Sequence, residues 1–114
     1  MIIKSSQEVP AKPVGDLKGV EKQILIGPED GSEEIVMRQL TLQPRAHTPY
    51  HEHAFPHLVK VEEGIGVVID QHGHEHALEA GNVIYVHDNE VHGFKNTGNR
   101  LFRFICIVPS RGEK

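Results

Sequence analysis

The sequence predicts an all-β, antiparallel sandwich or barrel built as one domain. Helical periodicity is nearly absent, and eight short runs rich in β-branched and aromatic residues recur instead. Their spacing of roughly 8–12 residues, with turn residues between them, is that of many short antiparallel strands. No stretch is long enough for the crossover helix that a parallel sheet requires.

Along the chain, residues 1–19 read as an extended arm, broken by Pro10, Pro13, Gly15 and Gly19. An arm with unpaired backbone groups is expected to lie against a second subunit, so a homodimer is expected. Residues 20–114 form the barrel, with strands at 20–26, 34–42, 57–63, 65–70, 74–79, 83–86, 91–96 and 101–108. Gly27-Pro28-Glu29-Asp30-Gly31, Gln43-Pro44-Arg45, His72-Gly73, Ala80-Gly81-Asn82, Asp88-Asn89 and Gly98-Asn99 supply the turns. The last strand separates inside from outside. Alternation puts Phe102, Phe104, Cys106 and Val108 on one face and Arg103, Ile105 and Ile107 on the other. A guanidinium avoids an unpartnered interior, so the Phe104/Cys106 face is the inner one. Arg38 and Gln39, adjacent on an earlier strand, must point to opposite faces, and parity leaves open which is inward.

Composition narrows the partners. Net charge is −4 and the Lys and Arg residues are scattered, which argues against nucleic acid or an anionic membrane. No apolar run approaches the ~20 residues of a membrane span, and the first residues lack the pattern of a secretory signal. A single cysteine, Cys106, fits a reducing, cytoplasmic setting.

The unusual count is nine histidines, five of them in two tight groups: His51, His53 and His57, and His74 with His76. On an extended strand His51 and His53 share a face, and two such imidazoles converge on one ion at ~2.1 Å ligand distance. His57 keeps the same parity if the chain stays extended through Phe55-Pro56. A fourth ligand must cross from elsewhere, and His92 is the natural candidate. The His72–His76 region reads either as a second, exposed metal site or as a solvated hairpin, and the solvated hairpin is the simpler reading. His87 reads as a turn residue and His47 as part of the loop entering the first histidine group. Glu52 alternates with the candidate ligands and points away from them.

These residues carry a resemblance. His51-x-His53-x3-His57-x6-Gly64 resembles the first cupin motif, and Gly81-x5-His87-x-Asn89-x2-His92-x3-Asn96 resembles the second. The short gap from Gly64 to Gly81 resembles that of small single-domain cupins. The size, the Phe-x-Cys end and the four-histidine pattern are similar to a small manganese-containing cupin of a thermophile. Membership would imply the cupin double-stranded β-helix, or jelly-roll, barrel, with one divalent transition metal on His51, His53, His57 and His92. The sequence departs from the motif at four places: Arg45 and Asn89 stand where Gly is usual, His87 where Pro is, and His57 where Glu is. Asn tolerates left-handed backbone, so the second turn survives. Four neutral imidazoles leave a divalent ion at full charge, so open positions should favour anionic ligands. Imidazoles bind metal only when neutral, so the ion should leave as pH falls below about 6.

The resemblance implies manganese or iron; by intrinsic affinity nickel, zinc or copper would fill such a site in purified protein. The expected function is a metal-dependent, dioxygenase-like oxidoreductase acting on a small organic substrate with O2 or peroxide. Leu40, Val59, Phe94, Phe104 and Cys106 are the expected pocket walls. The alternatives are a non-catalytic small-molecule or metal-binding module, and a metal-assisted isomerase, lyase or cyclase.

Overall fold

The eight expected strands all form in the computed structural model, which describes residues 1–113. They are β2 (Val20–Ile26), β3 (Ile35–Leu42), β4 (His57–Glu63), β5 (Ile65–Ile69), β6 (Glu75–Glu79), β7 (Val83–Val86), β8 (Gly93–Asn96) and β9 (Phe102–Pro109). A ninth, the two-residue β1 (Lys12–Pro13), comes from the arm. The strands form a six-stranded sheet, β1-β2-β3-β9-β4-β7, and a three-stranded sheet, β6-β5-β8, antiparallel throughout.

The arm differs from expectation. β1 pairs with β2 of its own chain, Val14 and Leu17 pack on the core, and the Gln23 amide donates to the carbonyls of Ser6 and Val9. Part of its backbone therefore pairs within its own chain.

Alternation along β9 is strict. Phe102, Phe104, Cys106 and Val108 are at most 3% exposed, whereas Ile105 and Ile107 are only half-buried. Register carries that inner face across the sheet: Cys106 lies opposite Arg38 on one side and Val59 on the other, and Phe104 lies opposite Leu40 and Val61. Arg38 therefore points inward, and the Gln39 amide reaches outward to Gln23. Burying a side chain such as Phe102 or Leu42, both at 0% exposure, contributes about 1.5–3 kcal/mol each.

The crossing between the sheets depends on Gly64, between β4 and β5, which adopts φ +82°; a Cβ there would run into the Leu101 carbonyl. Arg45 and Asn89 also adopt positive φ, 73° and 63°, at the two turns where the cupin pattern has glycine. Asn96 is buried with its polar groups satisfied: its amide donates to the carbonyls of Leu42 and Arg100, and its oxygen accepts from Gly98 N–H.

Candidate metal centre

The histidines meet at one open end of the sandwich. His57 is the first residue of β4, and its inward parity with Val59 and Val61 delivers the ring to the interior, where it is 5% exposed. His92 lies just before β8. It forms a backbone bridge with His51, each N–H donating to the other's carbonyl at 3.0 and 2.9 Å. The run from His51 to His57 is not a continuous strand. The chain bends at Ala54-Phe55, and Asn89 N–H donates to the His53 carbonyl to anchor the bend. A loop, not strand parity, thus brings His53 to the cluster.

One ring nitrogen each from His53, His57 and His92 falls within a 4.8 Å spread. Two nitrogens on one ion at ~2.1 Å stand at most ~4.2 Å apart, so a small contraction would seat an ion among the three. His51 stands at the edge of this set: its exposed ring is 4.1 Å from that of His53 and 6.0 Å from that of His92, centroid to centroid.

Outer contacts orient two of the rings. His92 Nδ1 donates to the Glu90 carbonyl at 2.8 Å, which leaves the Nε2 lone pair free. His57 Nδ1 lies 3.3 Å from Cys106 Sγ, while its Nε2 is buried with no hydrogen-bond partner among the described residues. A buried ring nitrogen without a partner is costly, and a metal ion is the partner that an unprotonated Nε2 accepts. The residues fit a divalent ion on that ground and on the chemistry of the donors. Burial first, and then the neighbouring histidines, push His57 down to about 3 and His53 to about 4; His51 is lowered too, by burial and His92. Proton competition at His53 and His57 therefore sets in below the pH near 6 expected from an ordinary imidazole.

The cluster opens into a cavity of about 140 Å³. Leu40, Phe94, Phe104 and Cys106 line it, and Phe94 stacks on Phe104 at 4.5 Å. Val59 does not: it faces inward but packs in the core behind the cavity, because only the first inward residue of β4, His57, reaches the open end. Arg38, Lys22, Thr48 and the arm residues Val14 and Leu17 also line the cavity. Of these the sequence marks only Arg38, as one of two adjacent residues of which one faces inward. Parity of Arg38 with Cys106 across β3–β9 was the available signal, but it requires the register. Arg38 Nη2 donates to Cys106 Sγ at 3.2 Å, and burial pushes the thiol up against the opposing pull of Arg38.

The remaining histidines lie elsewhere. His76 Nε2 meets Asp70 Oδ2 at 2.7 Å, and Asp70 Oδ1 accepts from the backbone N–H groups of His72 and His74, which together hold the Asp70 carboxyl down at about 2. That arrangement is a hydrogen-bonded, exposed hairpin. His87 is exposed against Tyr85, and Glu52 is exposed away from the cluster.

Two sheets with a histidine cluster at one end define a cupin-type barrel. Residues 38–108 match the Cupin domain family, and the chain belongs to it. No curated protein sequence matches the chain. Among solved structures it is similar to the polyketide cyclase RemF from Streptomyces resistomycificus, with TM-score 0.91 and 26% identity over 96% of this chain and 80% of that one. It is also similar to a predicted oxalate decarboxylase from Thermotoga maritima, with TM-score 0.83 and 23% identity over 95% and 98% of the two chains. A cupin-2 domain from Rhodospirillum rubrum aligns with TM-score 0.82 and 17% identity over 96% and 74%.

Proposed function

We propose that this cupin holds one divalent transition metal on His51, His53, His57 and His92 and is a dioxygenase-like oxidoreductase acting on a small organic substrate in the barrel cavity. The observation that carries the metal is the buried, unpartnered Nε2 of His57, with the Nδ1 of both His57 and His92 already engaged on the outer side. His51 joins as a fourth ligand by rotation of its exposed side chain. A bound ion, manganese or iron by family resemblance and nickel, zinc or copper as purified, supplies a Lewis-acidic centre with open positions for substrate and for O2 or peroxide.

The chain's own residues do the rest. Phe94, Phe104 and Leu40 give an apolar wall that orients a flat substrate and thins the water around it. Metal loading requires the His57 proton on Nδ1, where Cys106 Sγ accepts it in a hydrogen bond. The lining residues include no carboxylate that could serve as a base, which favours oxidation over proton abstraction. Iron(II)- or manganese(II)-loaded protein mixed anaerobically with a catechol, flavonol or alkene is expected to consume O2 or peroxide on its addition. Tight binding without turnover would make the chain a non-catalytic binding module.

A second reading, a metal-assisted cyclase, isomerase or lyase, is favoured by the likeness to the cyclase RemF. Turnover indifferent to O2 would select it.

The outer face supports a homodimer. Leu58, Val83, Tyr85, Ile105 and Ile107 border an apolar groove of about 510 Å³, with Val83 75% exposed. A single buried cysteine agrees with a cytoplasmic setting, and no described helix is long and apolar enough to cross a membrane.

A further inference from the structure

One carboxylate is tied to two cations of the cavity. Glu113, beyond the 3-10 turn Ser110–Gly112, places Oε2 2.7 Å from Lys22 Nζ and Oε1 3.1 Å from Arg38 Nη1. Its side chain is 10% exposed and that of Arg38 13%. Both cations line the cavity together with the histidines, and no Asp or Glu does. The lining therefore carries two fixed positive charges, and Glu113, outside the lining, supplies one negative charge to both.

Arg38 has donors to spare. Nη1 serves Glu113, Nη2 serves Cys106 Sγ, and Nε is buried with no partner among the described residues. A carboxylate takes charged N–H donors in pairs, and Nη1 of Arg38 with Nζ of Lys22 is the pair that Glu113 occupies, with Nε of Arg38 a further unused donor. Arg38 is also one group away from the histidines, since the sulfur that it touches lies against His57 Nδ1. The segment bearing Glu113 is held by its two ion pairs and by a short turn, outside the strand ladders. Its own turn closes through Glu113 N–H to the Ser110 carbonyl, and Gly112 packs against Phe55, which stacks on His53 at 4.8 Å.

We propose that Arg38 and Lys22 form an anion subsite that takes the carboxylate of a small organic acid, and that the Glu113 carboxylate holds this place until such a ligand displaces it. Glu113 is then an internal competitor, and the ligand class of the cavity is a small carboxylic acid whose other end reaches the histidines. The inference rests on the metal reading only for that other end; the anion subsite itself needs no ion.

Acetate is the probe, titrated into zinc-loaded and metal-free full-length protein and followed by the 15N-edited Nε–H signal of Arg38. Glu113→Gln keeps the size of the side chain and removes its charge. It is expected to bind acetate about tenfold more tightly than the parent, the scale of one charge-assisted hydrogen bond. Adding Arg38→Met to that variant should abolish the gain, and adding Lys22→Met should remove a severalfold part of it, with binding then read by calorimetry and folding checked by thermal unfolding. If Arg38→Met does not fold, the Lys22→Met arm decides. An affinity for Glu113→Gln within twofold of the parent overturns the proposal, as does a gain that survives loss of the cation tested. Failure of zinc to bind, with the gain intact, would remove the metal reading and leave the subsite standing. Zinc binding without the gain would do the reverse.

Discussion

Inward from β4 and β9 point His57, Val59, Val61, Phe104 and Cys106, none more than 5% exposed; outward point Leu58, Lys60, Ile105 and Ile107, with Leu58 at 55%. Hydropathy does not separate these faces, because the buried side holds a histidine and a thiol and the open side holds two isoleucines. The side of the sheet separates them. Inside, the polar side chains link in a chain, His57 on Cys106, Cys106 on Arg38, Arg38 on Glu113, that leaves His57 Nε2 and Arg38 Nε unused. Outside, the apolar groups make a groove that has nothing of its own chain across it among the described residues.

The widest gap between the faces should be in stability. Phe104→Ala empties a site that is 2% exposed and stacked on Phe94, and should cost about 3–5 kcal/mol in urea unfolding. Ile105→Ala, next in sequence but half-buried and outward, should cost about 1 kcal/mol or less in the monomer. Equal losses would break the comparison.

Metal affinity sharpens it next. His57→Ala is expected to weaken zinc binding by about a hundredfold or more, because losing a ligand should exceed the 10–100-fold lost with a supporting partner. Circular dichroism should still report the β fold. His74→Ala, on the exposed hairpin, should change neither quantity. Matching behaviour of the two variants would mean that the cluster is misplaced.

Acid should act on the histidine cluster. His53 and His57 are held near 4 and 3 in the folded protein, below the ordinary 6.5. As pH falls through 6.5 the unfolded chain takes up protons before the folded one. The metal-free barrel should therefore lose stability progressively between about pH 6.5 and 3. His57→Gln should flatten that slope in urea midpoints measured across the range. Smallest in folding terms is the outer groove: Leu58→Asp should leave the urea midpoint of the monomer nearly unchanged, within about 0.5 kcal/mol. Sedimentation should nevertheless show a dimer becoming a monomer. A parent protein that sediments as a monomer would leave the groove without that occupant.

Much of this was legible in the chain itself. Strand positions follow from local alternation and turn residues, so β2 through β9 fall within two residues of their expected bounds. The inner face of β9 was readable because one charged residue, Arg103, marks the other side. The left-handed turn at Asn89 was readable because few residues tolerate that backbone. His51, His53, His57 and His92 could be selected by spacing and by resemblance.

What spacing could not give was the path between them. The chain bends at Ala54-Phe55 instead of running extended, so three imidazoles close up and His51 stands aside. Nor could it say that Val59 stops short of the cavity, that the arm folds on its own sheet, or that Arg38 and the distant Glu113 share one ion pair. Backbone alternation and turn chemistry are local, acting over a few residues, and a sequence states them directly. Cross-strand register, loop closure and pairing between residues 75 apart exist only once the sheets have packed, and there the tertiary structure alone decided.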